Sequence, residues 1–202
     1  MKKLSFLQLN LHNTVPANIA VNDWLLKSEN NIALCQEPNQ RKNKVTNMHS
    51  QIRQYVGTHP TSKIKPRACI LINSTKLRLL KLTQFCDKDL VSIMLDDDIV
   101  IASCYMEGEP AIPPPTKLIN LVNFCIAKNL KLIIGSDVNA HHTLWGSTNV
   151  NKRGEDLLEY IFSTNLVILN RGNKPTYKNV TRWEVLNKTL ATLNINDKII
   201  DC

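Results

Sequence analysis

The chain has 202 residues, 43% hydrophobic and 21% charged, with 25 Lys plus Arg against 17 Asp plus Glu and a formal net charge of +8. That length suits one well-buried domain over residues 1–202 and is short for two, and the ordinary balance excludes a disordered or low-complexity polypeptide. Apolar stretches fall short of bilayer length, so the sequence predicts a soluble protein with no membrane partner, and the basic excess favours polyanions over cationic partners.

In chain order, the first apolar run, Leu4 to Leu9, ends on Asn10. Lys2 and Lys3 precede it, but Gln8, Asn10 and His12 interrupt the apolar stretch and no small-residue cleavage site follows, so a signal peptide is not expected. Ala20, Val21, Trp24 and Leu25 recur at helical spacing and predict a helix over 16–29. A second run, Ile32 to Gln36, ends on Glu37. Residues 38–66 carry Arg41, Lys42, Lys44, Arg53, Lys63 and Lys65 with weak periodicity, which predicts loops and short strands with a basic surface. Ala68 to Ile72, Val91 to Leu95 and Ile99 to Cys104 are strand-like, and the last of these ends on Tyr105. Asp96, Asp97 and Asp98 between the last two suit a solvated hairpin turn better than a metal site.

Pro113, Pro114 and Pro115 stop strand pairing, and Thr116 is placed to N-cap a helix whose apolar face is Leu118, Leu121, Val122, Cys125 and Ile126. The strand Leu130 to Ser136 follows and leads to Asp137. If the chain stays extended through His141, the pleat sends Asp137, Asn139 and His141 to one side. A helix over 154–164, with Leu157, Leu158, Ile161 and Phe162 on one face, precedes a strand from Leu166 to Leu169. Six cysteines, at 35, 69, 86, 104, 125 and 202, lack Cys-x-x-Cys spacing and predict reduced thiols in an intracellular protein. Strands joined by short connections predict an α/β fold of mixed rather than purely parallel sheets, with helices outside.

Four buried runs thus end on Asn10, Glu37, Tyr105 and Asp137, at the sheet edge where binding sites gather. Those residue types suit phosphodiester hydrolysis, which needs an activated water and neutralisation of charge on the transition state and leaving oxygen. Glu37 with Asn10 offers the hard oxygen donors that Mg²⁺ prefers, with Mn²⁺ as a second option. Asp137 can take a proton from water, Asn139 can hold that water or the carboxylate in line, and Tyr105 can donate to a phosphate oxygen. Each residue also has a plain alternative. Glu37 before Pro38 fits a strand-closing exposed acid, Asn10 a turn residue, Tyr105 a half-buried ring, and Asp137 with Asn139 an Asx-type loop. Recurrence at four strand ends favours the functional reading.

Gln8-Leu9-Asn10-Leu11, Cys35-Gln36-Glu37-Pro38, Tyr105-Met106 and the run from Ile134 through Asp137-Val138-Asn139-Ala140-His141-His142 to Trp145-Gly146-Ser147 together resemble the endonuclease/exonuclease/phosphatase superfamily. More narrowly, the chain resembles the apurinic-endonuclease-like domain of non-LTR retrotransposons. Lys65-Pro66-Arg67-Ala68-Cys69, the triple proline, Asn151-Lys152-Arg153-Gly154-Glu155 and Leu169-Asn170-Arg171-Gly172 strengthen that likeness. The resemblance implies a four-layer αββα sandwich of two mixed sheets and a Mg²⁺-dependent endonuclease that nicks double-stranded DNA for target-primed reverse transcription. It implies a reverse transcriptase partner if the chain is part of a longer polyprotein, and a DNA substrate implies a nuclear location. By motif, Glu37 and Asn10 form the metal side, Asp137 is the base, Asn139 its orienting partner and Tyr105 a phosphate contact. The basic loops, with Arg41, Lys42, Lys44 and Arg67, are then expected DNA-backbone contacts.

The sequence departs from the family pattern twice. Asn187 stands where the family usually carries Asp, and the chain reaches Asp201-Cys202 without the final Ser-Asp-His strand. Losing one such group typically costs on the order of 10² to 10³ in rate, so a weakened or inactive enzyme is expected. Two other readings stay open: a catalytically dead DNA-binding remnant, and a phosphoesterase for a phospholipid or inositol phosphate.

Overall fold

In the computed structural model, the described residues are 3–57, 64–164, 166–170, 177–178 and 183–196. The first strand, β1 (Ser5–Asn10), is followed by α1 (Val15–Leu26) and β2 (Asn31–Gln36). A short hairpin, β3 (Gln40–Arg41) and β4 (Lys44–Val45), leads through β5 (Arg53–Val56) to β6 (Ala68–Asn73). Next come β7 (Leu79–Lys81), β8 (Leu90–Leu95) and β9 (Ile99–Tyr105), then α2 (Thr116–Ala127) and β10 (Lys131–Asp137). The remainder comprises α3 (Lys152–Ser163), β11 (Leu166–Ile168), a small hairpin of β12 (Tyr177–Lys178) and β13 (Trp183–Glu184), β14 (Asn187–Thr192) and the turn-length α4 (Leu193–Asn196).

Strands whose side chains are apolar on both faces take central places, because only there are both faces covered. Every residue of β2 and β6 is buried, and these two are the inner strands of a four-stranded sheet ordered β1-β2-β6-β5. The second sheet is ordered β11-β14-β10-β9-β8-β7. Both sheets are mixed, with β1 parallel to β2 and β9 parallel to β10 among antiparallel neighbours. Ile32, Leu34, Ile70 and Ile72 of the first sheet meet Val91, Ile93, Ile101 and Ile133 of the second in an apolar seam. Outside the first sheet, Val21 and Leu25 of α1 cover Ala33, Cys35 and Leu71. Outside the second, Leu118, Leu121, Leu157 and Ile161 of α2 and α3 cover Val100, Ala102, Leu132 and Ile134. The layers are therefore helix, sheet, sheet, helix, as the resemblance implies.

At Gly135 the two sheets approach closely: an added Cβ would lie 2.7 Å from Leu34 Cβ and 2.8 Å from Gln8 Cγ. Gly135→Val is expected to force the sheets apart and cost about 1 to 3 kcal/mol, read as a lower urea midpoint. An unchanged midpoint would contradict this packing.

Several sequence expectations shift. The helix expected at 16–29 spans Val15–Leu26, with the Thr14 side chain accepting from Ala17 N at 3.4 Å. Thr116 is the first helical residue rather than the cap; extended Pro115 holds that place without a side-chain bond. Ile126 and Phe162 are 41% and 74% exposed, off the buried faces predicted for them. At 3.6 residues per turn, position i+8 lies roughly 80° round from i, at the margin of an apolar stripe. The aspartate run is a turn, with Asp96 and Asp97 at positive φ and both paired with Arg78. Among the described residues the five cysteines are all free and buried, as expected.

Candidate active site

The parallel pairings fix what meets at the sheet rim. Asn10 lies beside Gln36 in the β1–β2 register, and Asp137 lies between Tyr105 of β9 and Asn187 of β14. Both sheets open toward the same edge, and Asn10 closes the gap: its Nδ2 donates to Glu37 Oε2 at 3.0 Å and to Asp137 Oδ2 at 2.6 Å. One amide therefore joins carboxylates from two sheets. Below this rim Gln36 Nε2 donates to Ser103 Oγ and Gly135 O, both at 3.0 Å, while Gln8 Nε2 reaches Ser136 O at 3.2 Å. These buried polar bonds set the spacing of the sheets where the site needs it. Sequence reading missed that brace, although two glutamines inside apolar runs were its visible trace.

Glu37 follows β2 at φ 47, a left-handed turn that takes its side chain out of the pleat, and its N–H donates to Arg67 O at 2.8 Å. Asn139 is likewise at φ 45. The chain does not stay extended past Asp137; β10 ends there, and a turn brings Asn139 back. Its N–H donates to Asp137 Oδ1 at 3.3 Å and its Nδ2 to Met106 O at 3.0 Å. Asparagine tolerates this left-handed conformation better than most residues. His141 is not brought alongside: its Nδ1 lies 2.8 Å from Asn149 Oδ1, and His142 caps the following turn at Leu144 N and packs on Trp145.

Burial pushes the Asp137 carboxyl pKa up, opposed by the hydrogen bonds from Asn10 and from Asn139 N–H. A base with a raised pKa is a stronger proton acceptor once ionised. The Tyr105 phenol is also held above its ordinary value, first by burial and then by Glu37 and Asp137, with Arg67 and Asn139 acting in the opposite sense. It stays protonated at neutral pH and can donate. Asn187, 7% exposed, shares a face of β14 with Ala191, which packs between the sheets, so Asn187 stands at the inner rim opposite Asp137.

The four expected DNA contacts divide. Arg41, Lys42 and Lys44 sit on the exposed hairpin of β3 and β4, tied by the Gln40 amide to Pro66 O. Arg67 instead lies 4.6 Å over the Tyr105 ring, and its guanidinium binds both Asp89 oxygens, at 2.5 and 2.7 Å, and Glu107 at 3.1 Å. Asp89 above all raises the Arg67 pKa. With its charge matched by Asp89 and Glu107, Arg67 packs over the Tyr105 ring.

The donor set suits a hard cation. Glu37 keeps a side chain 25% exposed and leaves Oε1 for further bonding, whereas Asn10 Oδ1 already accepts from His12 N at 2.8 Å. Among the described residues no three His, Cys, Asp or Glu side chains gather as a metal cluster. One or two carboxylates completed by water is a donor set that Mg²⁺ accepts.

Two packed mixed sheets between helices, with Asn, Glu, Tyr, Asp and Asn converging at one rim, define the endonuclease/exonuclease/phosphatase class of hydrolase. The sequence model of the endonuclease–reverse transcriptase family matches residues 99–202, and the chain belongs to that family. Among solved structures, the endonuclease domain of TRAS1, a telomere-specific non-LTR retrotransposon, is similar at TM-score 0.78 and 25% identity, over 96% of this chain and 88% of that one. The AP endonuclease of Leishmania major matches at TM-score 0.69 and 10% identity, over 98% of this chain and 82% of that one. The 3′-5′ exonuclease of Neisseria meningitidis matches at 0.66 and 11%, over 98% and 89%. No curated protein sequence matches the chain.

Proposed function

We propose that the chain is a divalent-metal-dependent endonuclease that nicks double-stranded DNA, weakened by Asn187 in the place of the family's Asp opposite Asp137, working in the nucleus and joined to a reverse transcriptase. The observation that carries this reading is the cross-sheet bridge in which Asn10 joins Glu37 and Asp137. Asp137 takes the proton from the attacking water, and Asn139, bonded to both Asp137 and Met106, holds that carboxylate in line. Tyr105 donates to a non-bridging phosphate oxygen. Glu37, with Asn10 beside it, would hold Mg²⁺ or Mn²⁺, which supplies neutralisation of charge on the transition state and leaving oxygen. Arg41, Lys42 and Lys44 contact backbone phosphates, positioning the duplex without reading sequence.

Nicking of supercoiled plasmid by the folded chain tests this. Conversion to open circles with Mg²⁺ or Mn²⁺, abolished by EDTA, is the expected result. Salt-sensitive DNA binding without metal-dependent nicking would replace it with a DNA-binding remnant. Turnover of an inositol phosphate without nicking would reassign the substrate.

A further inference from the structure

The stretch Asn151-Lys152-Arg153-Gly154 opens α3 against the loop that carries Asn139. Arg153 is only 6% exposed, and its donors go to backbone carbonyls. Nε donates to Asn139 O at 2.9 Å, one terminal nitrogen to Glu107 O at 2.6 Å and Val138 O at 3.5 Å, and the other to Ala111 O. Burying a guanidinium is unfavourable unless its donors find acceptors. Here the acceptors belong to two loops, 107–111 beyond β9 and 138–139 beyond β10. Beside it, Asn151 Oδ1 accepts from His141 N at 3.0 Å and Gly154 N at 2.9 Å. A Cβ on Gly154 would lie 1.9 Å from His141 O, so the helix start rests directly on this loop.

We propose that Arg153 is a positioning residue whose planar fork locks the turn after Asp137 to the loop after Tyr105, keeping Asn139 and Tyr105 in place beside the catalytic carboxylate. Asn139 sits in a left-handed conformation and sends its own amide to Met106 O, so the site is divided between the two loops that Arg153 binds. A lysine keeps the charge but is a point donor and cannot span four carbonyls. The kinetic consequence rests on the endonuclease reading; the structural one does not.

The test is R153K, measured by amide hydrogen exchange and by plasmid nicking. Exchange is expected to quicken at 107–111 and 138–141 while β9 and β10 keep their protection. The kcat falls on the order of 10- to 100-fold with KM for DNA within about threefold, the signature of misplaced catalytic groups rather than lost binding. Lys152→Ala, at a neighbouring side chain 78% exposed, keeps the wild-type kcat. In R153A, added guanidinium restores part of the lost rate, as simple unfolding would not. Wild-type exchange in both segments, a wild-type kcat in R153K, or lost protection across both sheets overturns the proposal. If the wild-type chain does not nick, the endonuclease reading fails and exchange alone decides whether Arg153 is the clamp.

Discussion

Asp137→Asn is expected to lower metal-dependent plasmid nicking by about 10² to 10⁴-fold, the range over which a positioned general base contributes. The substitution keeps the size of the side chain and leaves an oxygen that can still accept from Asn10, whose amide lies 2.6 Å from the native carboxylate. It removes the ability to hold a water's proton. Stability should change little, because the amide is free of the desolvation cost that is the foremost cause of the raised Asp137 pKa but turns its NH2 toward the Asn139 N–H that donates to Oδ1 at 3.3 Å. Activity should fall on the acid side as Asp137 takes up its proton, since the base must be ionised to act; in the metal-free chain burial holds that carboxyl above its ordinary value. Activity within tenfold of wild type in Asp137→Asn would remove Asp137 from the chemistry; a lower melting temperature would point to a structural role.

The strand-end residues were legible because each stands at the carboxyl end of a run too apolar to be anything but buried strand. Asn10, Tyr105 and Asp137 end β1, β9 and β10, and Glu37 directly follows β2. Periodicity also found α2 and α3 and their buried Leu121 and Leu157. What pattern cannot give is a change of backbone direction. Asn139 reaches Asp137 through a left-handed turn, whereas alternation in an extended strand would have delivered His141 as well. Nor does composition distinguish a phosphate-seeking arginine from a bracing one. Arg67 lies between Lys65 and Lys88 in a basic surface, yet its partners are Asp89, Glu107 and the Tyr105 ring, contributed by a different sheet. Arg153, at the start of a helix, reads as solvated until its four acceptors are seen.

Lys188→Met is expected to stabilise the fold, by on the order of 3 kcal/mol at pH 7. Lys188 is 1% exposed on β14 and shares its outward face with Leu190, in the layer between the second sheet and its helices. Its Nζ has Trp145 O at 3.3 Å and lies 5.5 Å from the Trp145 ring centroid. Burial lowers its pKa from 10.5 to about 7. Between those values the unfolded chain binds a proton that the folded chain releases, so this residue makes stability rise with pH from about 7 to 10.5 and leaves it flat and lowest below 7. The buried thiols act oppositely: burial lifts Cys125 from 9.0 to about 12, so stability falls as unfolded thiols ionise above about 9. Subtracting the variant's urea-unfolding free energy from that of the wild type cancels them. The difference should be greatest at pH 7 and below and shrink steadily toward pH 10. Methionine fills nearly the same volume without an amine to desolvate, so little packing is lost. A less stable variant, or a difference constant from pH 7 to 10, would mean that the folded chain holds Lys188 as a satisfied ammonium.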